Sequence, residues 1–209
     1  MKDYKIIYNR LKIYNYFPNN LDKFYFISTK ESLTRNNDIC HTNVQCVNKF
    51  NVIKDLKKYV KMHISAKTGI YVNCNALYQC GFLDLNEYVE NYITDKSIRN
   101  GEIVYMEGVE IGKYEYDIMV TSHIKYMECY KKIIKENIEG VFKVAKIHKN
   151  DVLIICPLMG DDKYDIVHTY VVMYNEMLLM YGKFFAKIIF IFNNKNIYEI
   201  FNRELFYVK

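Results

Sequence analysis

Asp151-Val152-Leu153-Ile154-Ile155-Cys156-Pro157-Leu158-Met159-Gly160 is the stretch that decides the fold. Residues 152–156 are apolar without interruption. A run with no polar alternation suits a central strand covered on both faces. Pro157 and Gly160 stop it. Beyond it, Asp165–Tyr181 carries Ile166, Tyr170, Met173, Met177 and Tyr181 at helical spacing, with Gly182 at its end. Lys187–Phe192 is the next buried strand. Asn193-Asn194-Lys195 turns, and Asn196 is the expected cap of a last helix bearing Ile197, Ile200, Phe201 and Leu205. Strand, helix, strand, helix at this spacing predicts parallel strands joined by a crossover.

Upstream the same grammar is weaker. Gly69–Asn75 reads as a buried strand that turns polar at its end, and residues 70–74 are expected beside 152–156. Ile103–Met106 and Asp117–Thr121 are further strand candidates. Asn48–His63 and Asp84–Ile98 carry helical apolar spacing, and His123–Ile147 reads as a long helix broken near Gly140. Phe24–Ile27 is a short strand candidate between a turn at Pro18-Asn19-Asn20 and a loop at Asn36-Asn37-Asp38. The expectation is one three-layer α/β domain spanning 1–209, with a mostly parallel central sheet and helices on both faces. Residues 1–65 are its divergent N-terminal extension.

Composition narrows the class. Hydrophobic residues are 51% and charged residues 25%, so the chain can bury a core and wholesale disorder is excluded. Two Pro and eight Gly argue against collagen-like and linker-rich architectures. Abundant Tyr and Phe without a single Trp, beside many Ile, Asn and Lys, points to an AT-rich genome of the kind seen in large DNA viruses, phages and some protists. The net charge of +5 is spread through the chain, as a solvated surface is, so nucleic acid is not the expected partner. The field would still favour an anionic nucleotide. The longest purely apolar stretches, Ile188–Phe192 among them, are far short of the ~20 residues that span a bilayer, so a cytoplasmic protein without a membrane partner is expected. Six cysteines show no Cys-x-x-Cys spacing, and no metal or cofactor is expected.

In open α/β sheets, ligands sit outside the carboxyl ends of the strands. Two such ends carry candidate chemistry. One is Val72-Asn73-Cys74-Asn75 followed by Gly81-Phe82-Leu83; the other is Cys156–Gly160 running into a helix. A backbone-rich loop before a helix start can hold phosphate on its free N–H groups. Two other sets are weaker. His168-Thr169 lacks the second copy that a two-histidine phosphodiesterase needs. His123, Tyr126, Tyr130 and Lys131, at one-turn intervals, have the residue types for metal-free phosphodiester cleavage but arise readily by chance in so Tyr- and Lys-rich a chain.

The run 151–160, the helix 165–181, the strand from Phe184 to Ile191 and the helix 197–205 together resemble the end of macro domains of the microbial poly(ADP-ribose) glycohydrolase type. The segment Ile103–Ile111 and the strand 117–121 extend the resemblance, which covers roughly residues 69–206. In that family a strand ending in Asn, which helps hold the distal ribose, precedes a glycine-rich loop and a Gln-Glu-Glu signature. Asn73 and Asn75 match the Asn, and Gly81 is what remains of the glycine run. Asn86-Glu87-Tyr88 stands in place of the signature. Glu87 then matches the first Glu, and Tyr88 replaces the second, which is the family's acid. Glu90 takes that role only with a shift of register. Gly160 matches the phosphate loop, and Tyr164 matches an aromatic residue that packs on the ligand.

The resemblance implies a nucleotide site lined by Asn73, Asn75, Gly81, Phe82, Gly160 and Tyr164, with Glu87 and Glu90 as candidate catalytic groups. Loss of the acid favours binding of an ADP-ribose-like nucleotide or second messenger without turnover, as a viral sponge of immune signalling would require. The alternatives are an active ADP-ribose glycohydrolase or a cyclic-dinucleotide phosphodiesterase.

Overall fold

The computed structural model describes residues 6–7, 12–16, 42–48, 67–73, 102–111, 114–121, 127–156 and 163–206. Among the described residues, eight strands form one sheet: β1 (Ile6–Ile7), β2 (Lys12–Tyr16), β3 (Asn43–Asn48), β4 (Thr68–Asn73), β5 (Ile103–Ile111), β6 (Tyr114–Thr121), β7 (Val152–Cys156) and β8 (Lys187–Phe192). The order is β1-β5-β6-β4-β7-β8-β3, with β2 also paired to β5. From β6 to β3 every pairing is parallel, while β5 runs antiparallel to β6 and to the short N-terminal strands. Among the described residues, three α-helices accompany the sheet: α1 (Lys131–Ile147), α2 (Tyr164–Tyr181) and α3 (Lys195–Glu204).

The central position of 152–156 follows from its composition. Leu153 and Ile155 of β7 join Tyr71, Ile188 and Phe190 in a cluster with the apolar sides of all three helices. Their alternates Val152, Ile154 and Cys156 are equally buried on the opposite side. A strand dry on both faces has no polar position to spare, and the uninterrupted apolar run supplies none. β4, expected over 70–74 and described to Asn73, is a parallel neighbour of β7, and β7 of β8, with Val72 opposite Cys156 and Ile155 opposite Phe190. Phe190, Phe192, Phe201 and Tyr174 meet at ring-centroid distances of 4.7–6.0 Å and hold α2 and α3 to the sheet. A Lys135–Glu176 ion pair joins α1 to α2.

Four sequence expectations need correction. Met127 is extended (φ −142°, ψ 146°), and the helix begins only with a 3-10 turn at Glu128–Tyr130 leading into α1. A continuous helix through Met127 is therefore not formed, and α1 passes unbroken through Gly140, which is buried inside it. Asn194, not Asn196, caps α3: its side-chain oxygen accepts from the amides of Asn196 (2.9 Å) and Ile197 (3.3 Å). The strand expected over 103–106 continues to Ile111, past a bulge between Met106 and Val109 where Gly108 takes φ +71°. Asn48 ends β3 rather than opening a helix. The rest of the helix expected over 48–63, the helix over 84–98, the strand 24–27 and the loops at 18–20 and 36–38 lie outside the described residues.

Candidate functional site

The parallel strands bring three carboxyl ends side by side. Asn73 at the end of β4 is in register with Thr121 at the end of β6, and Val72 before it is in register with Cys156 at the end of β7. The Tyr71 hydroxyl meets the Thr121 hydroxyl at 3.1 Å in the interior, which pins β4 to β6 just below that edge. Lys163, seven positions after Cys156, precedes α2 and offers its first turn no side-chain cap. Asp165 lies in that turn, where the helix dipole favours an acid.

Of the residues expected at the site, the structure describes two. Asn73 closes β4, and Tyr164 is the first residue of α2. Tyr164 is 51% exposed, and its ring lies nearly parallel to that of His168 (centroids 5.9 Å apart, planes 14°). Its hydroxyl donates to Glu204 Oε1 at 3.0 Å. Asn75, Gly81, Phe82, Glu87, Glu90 and Gly160 lie outside the described residues. So do His123 and Tyr126. Because Met127 is extended, the helical spacing that grouped those two with Tyr130 and Lys131 does not hold, and Lys131 pairs with Glu128 at 3.4 Å.

Two clusters of ionisable groups escaped the sequence. The first joins α2 to the end of α3. Glu204 accepts from Tyr164 and from Arg203 Nη2 (2.7 Å) on one oxygen and meets His168 Nδ1 at 2.7 Å on the other. Arg203 chiefly, helped by His168 and Tyr164, holds the Glu204 carboxyl down to about 2. The four-residue spacing of Tyr164 and His168 was a legible signal, but Glu204 is 36 residues from His168.

The second cluster lies at the opposite, amino-terminal edge of the parallel strands. Buried Asp117 of β6 accepts from the Tyr105 hydroxyl, Asn150 Nδ2 (2.7 Å) and the Gly108 amide (3.1 Å), and pairs with Lys67 at 3.1 Å. Lys67 also reaches Glu107 at 3.1 Å. His148 meets the Tyr16 hydroxyl at 2.5 Å. Burial and the charge of Asp117 drive the Tyr105 phenol far above its ordinary range, and burial raises the Tyr16 phenol to about 12. Both hydroxyls therefore stay protonated. At this edge every charge lies near a partner, while the buried Asn150 Oδ1 has no hydrogen-bond partner among the described residues, and the edge faces away from the strand ends where a ligand is expected.

Among the described residues no group of three or more His, Cys, Asp or Glu is placed to hold a metal ion. No described helix is long and apolar enough to cross a membrane.

No family model and no curated protein sequence matches the chain. Solved structures do. A point mutant of the poly(ADP-ribose) glycohydrolase of Deinococcus radiodurans, in complex with ADP-ribose, is similar over 94% of this chain and 95% of its own, with a TM-score of 0.64 and 13% identity. The enzyme from Thermomonospora curvata is similar over 92% of this chain and 85% of its own, with a TM-score of 0.61 and 12% identity. The same enzyme bound to the inhibitor ADP-HPD gives 0.57 and 11%, over 91% and 84% of the two chains. The chain therefore has the macro-domain-like fold of these glycohydrolases, and the likeness reaches beyond the stretch 69–206 in which the sequence pattern resembles them.

Proposed function

We propose that this protein binds an ADP-ribose-type nucleotide where the carboxyl ends of β4 and β7 meet the start of α2, and holds it without turnover. The observation that carries the reading is the likeness over nearly the whole chain to structures in complex with ADP-ribose, combined with the side-by-side strand ends Asn73 and Cys156. Ligands of parallel α/β sheets sit at such ends because the loops that leave them present backbone N–H groups and helix starts. In this reading Asn73 and Asn75 bond ribose hydroxyls, the backbone around Gly160 receives the diphosphate, and the Tyr164 or Phe82 ring stacks on the base.

The lack of turnover rests on the sequence. Glycosidic cleavage needs a proton donor at the leaving ribose oxygen. Tyr88 stands where the family has its acid, and a phenol with an ordinary pKa of about 10 is a poor donor at neutral pH. A nucleotide held and not cut is a nucleotide withdrawn from use. In the cytosol of an infected cell, a protein from an AT-rich viral or phage genome would thereby blunt an ADP-ribose-derived or cyclic-nucleotide alarm signal.

The test is to incubate the purified protein with ADP-ribose, poly(ADP-ribose) and cyclic dinucleotides, denature it by heat, and chromatograph what is released. Unchanged ADP-ribose-type ligand is the expected result. Products in the supernatant would instead make the protein an enzyme. Loss of those products in Glu87→Gln or Glu90→Gln would identify a glycohydrolase.

A further inference from the structure

We infer that Glu204 is a positioning residue for the nucleotide site: from the end of α3 it fixes the ring of Tyr164 at the start of α2. This rests on the binding reading above and adds to it a residue about 130 positions away from Asn73 along the chain.

The geometry is specific. Tyr164 opens α2 directly after the segment that leaves β7, and half of it remains exposed. An exposed tyrosine ring ordinarily samples several orientations, and ordering it on a ligand costs side-chain entropy. Here its outer end is tied down. The hydroxyl donates to Glu204 Oε1, and the ring lies along His168 one turn further into α2. Glu204 cannot swing, because Arg203 shares Oε1 and His168 holds Oε2. Its backbone is fixed too: the Glu204 carbonyl accepts from Asn175 Nδ2 at 3.0 Å, and Asn175 Oδ1 accepts from the Phe206 amide at 3.0 Å. The Glu204 side chain is 17% exposed, while its partners Arg203 and His168 are more than half exposed. The ring is thereby ordered before a ligand arrives.

The experiment is a double-mutant cycle on ADP-ribose affinity, using Tyr164→Phe, Glu204→Ala and the pair, with thermal unfolding run alongside. Tyr164→Phe keeps the stacking ring and removes only its tether. Each single change should weaken ADP-ribose binding about two- to tenfold, the range expected for one aromatic stacking contact. The pair should be no weaker than either alone, because both cut the same link. Glu204→Gln, which keeps an acceptor for the hydroxyl, should recover part of the loss, and it replaces Glu204→Ala in the cycle should that variant fold poorly. Wild-type affinity in Tyr164→Phe, or losses that multiply in the pair, would overturn the inference. If Gly160→Glu abolishes binding while Tyr164→Phe and Glu204→Gln bind as the natural protein does, the positioning role fails and the binding reading stands. No binding of ADP-ribose by the natural protein would overturn both.

Discussion

The imidazole of His148 lies face to face with the ring of Tyr105, their centroids 3.6 Å apart and their planes 19° from parallel. Tyr14 and Tyr16 of β2 complete the surround at 5.2 and 5.6 Å, so a residue just past the end of α1 is clasped by two strands of the sheet edge. Lys67, Glu107 and Asp117 are the charges that act on the ring. Burial first, and then the Lys67 ammonium, pull the imidazole from its ordinary 6.5 down to about 4.

A pH dependence of stability follows. Between about pH 6.5 and about pH 4 the unfolded chain binds a proton at His148 that the folded chain refuses, so stability falls as pH drops through that window. Below about pH 4 this residue adds no further loss. After allowance for screening at a partly exposed site, the effect is about 1–2 kcal/mol. Urea melts of the natural protein and His148→Phe across this range check it: the variant should show the shallower slope, and parallel slopes would refute the assignment.

Asp117 is the hub of the same edge, and its removal should be costly. Asp117→Ala strips partners from Tyr105, Asn150, Lys67 and the Gly108 amide together. Lys67 keeps Glu107, but leaving the other buried polar groups without a partner costs about 3–5 kcal/mol. Asp117→Asn keeps acceptor capacity and should cost less. Equal denaturation midpoints for Asp117→Ala and the natural protein would show that the network is ornamental.

Gly69 is fixed by close approach. A Cβ there would stand 2.8 Å from Asn150 Oδ1 and 3.0 Å from the Met119 side chain, both in the interior. Asn150 is held in place by its bond to Asp117, so it cannot easily yield. Gly69→Ala should destabilise by about 1–3 kcal/mol, the usual cost of overpacking, as read by thermal unfolding. A neutral or stabilising result would mean that the asparagine moves freely.

The parts of this fold that were legible are those where one segment carries its own signal. The run 152–156 announces a two-sided strand, and the apolar stripe of Ile166, Tyr170, Met173 and Met177 announces α2. What was hidden depends on partners far apart in the chain. Asn43–Asn48, with polar residues at both ends and Gln45 between, gives no strand pattern, yet it pairs along the whole of β8. Lys67 and Asp117 are 50 positions apart and meet only because β4 and β6 are neighbours. For the site, Asn73 and Tyr164 fall at the expected strand end and helix start, but the clasp of Glu204 on Tyr164 needed the packing of α3 against α2.

Catalysis gives a separate expectation. Poly(ADP-ribose) should survive incubation with the natural protein, and Glu87→Gln should alter ADP-ribose affinity only modestly, because in the proposed reading Tyr88 takes the place of the proton donor. Tyr88→Glu is expected to restore weak release of ADP-ribose, measured by chromatography. Robust hydrolysis by the natural protein that disappears in Glu87→Gln would reverse the assignment.

Titration calorimetry of ADP-ribose into the natural protein and into Gly160→Glu tests the central claim most directly. The side chain and negative charge introduced at residue 160 would occupy the place proposed for the diphosphate. The account predicts saturable binding at one site per chain, abolished in the variant while its melting temperature is retained. No binding by the natural protein, or the same affinity in both proteins, would contradict it.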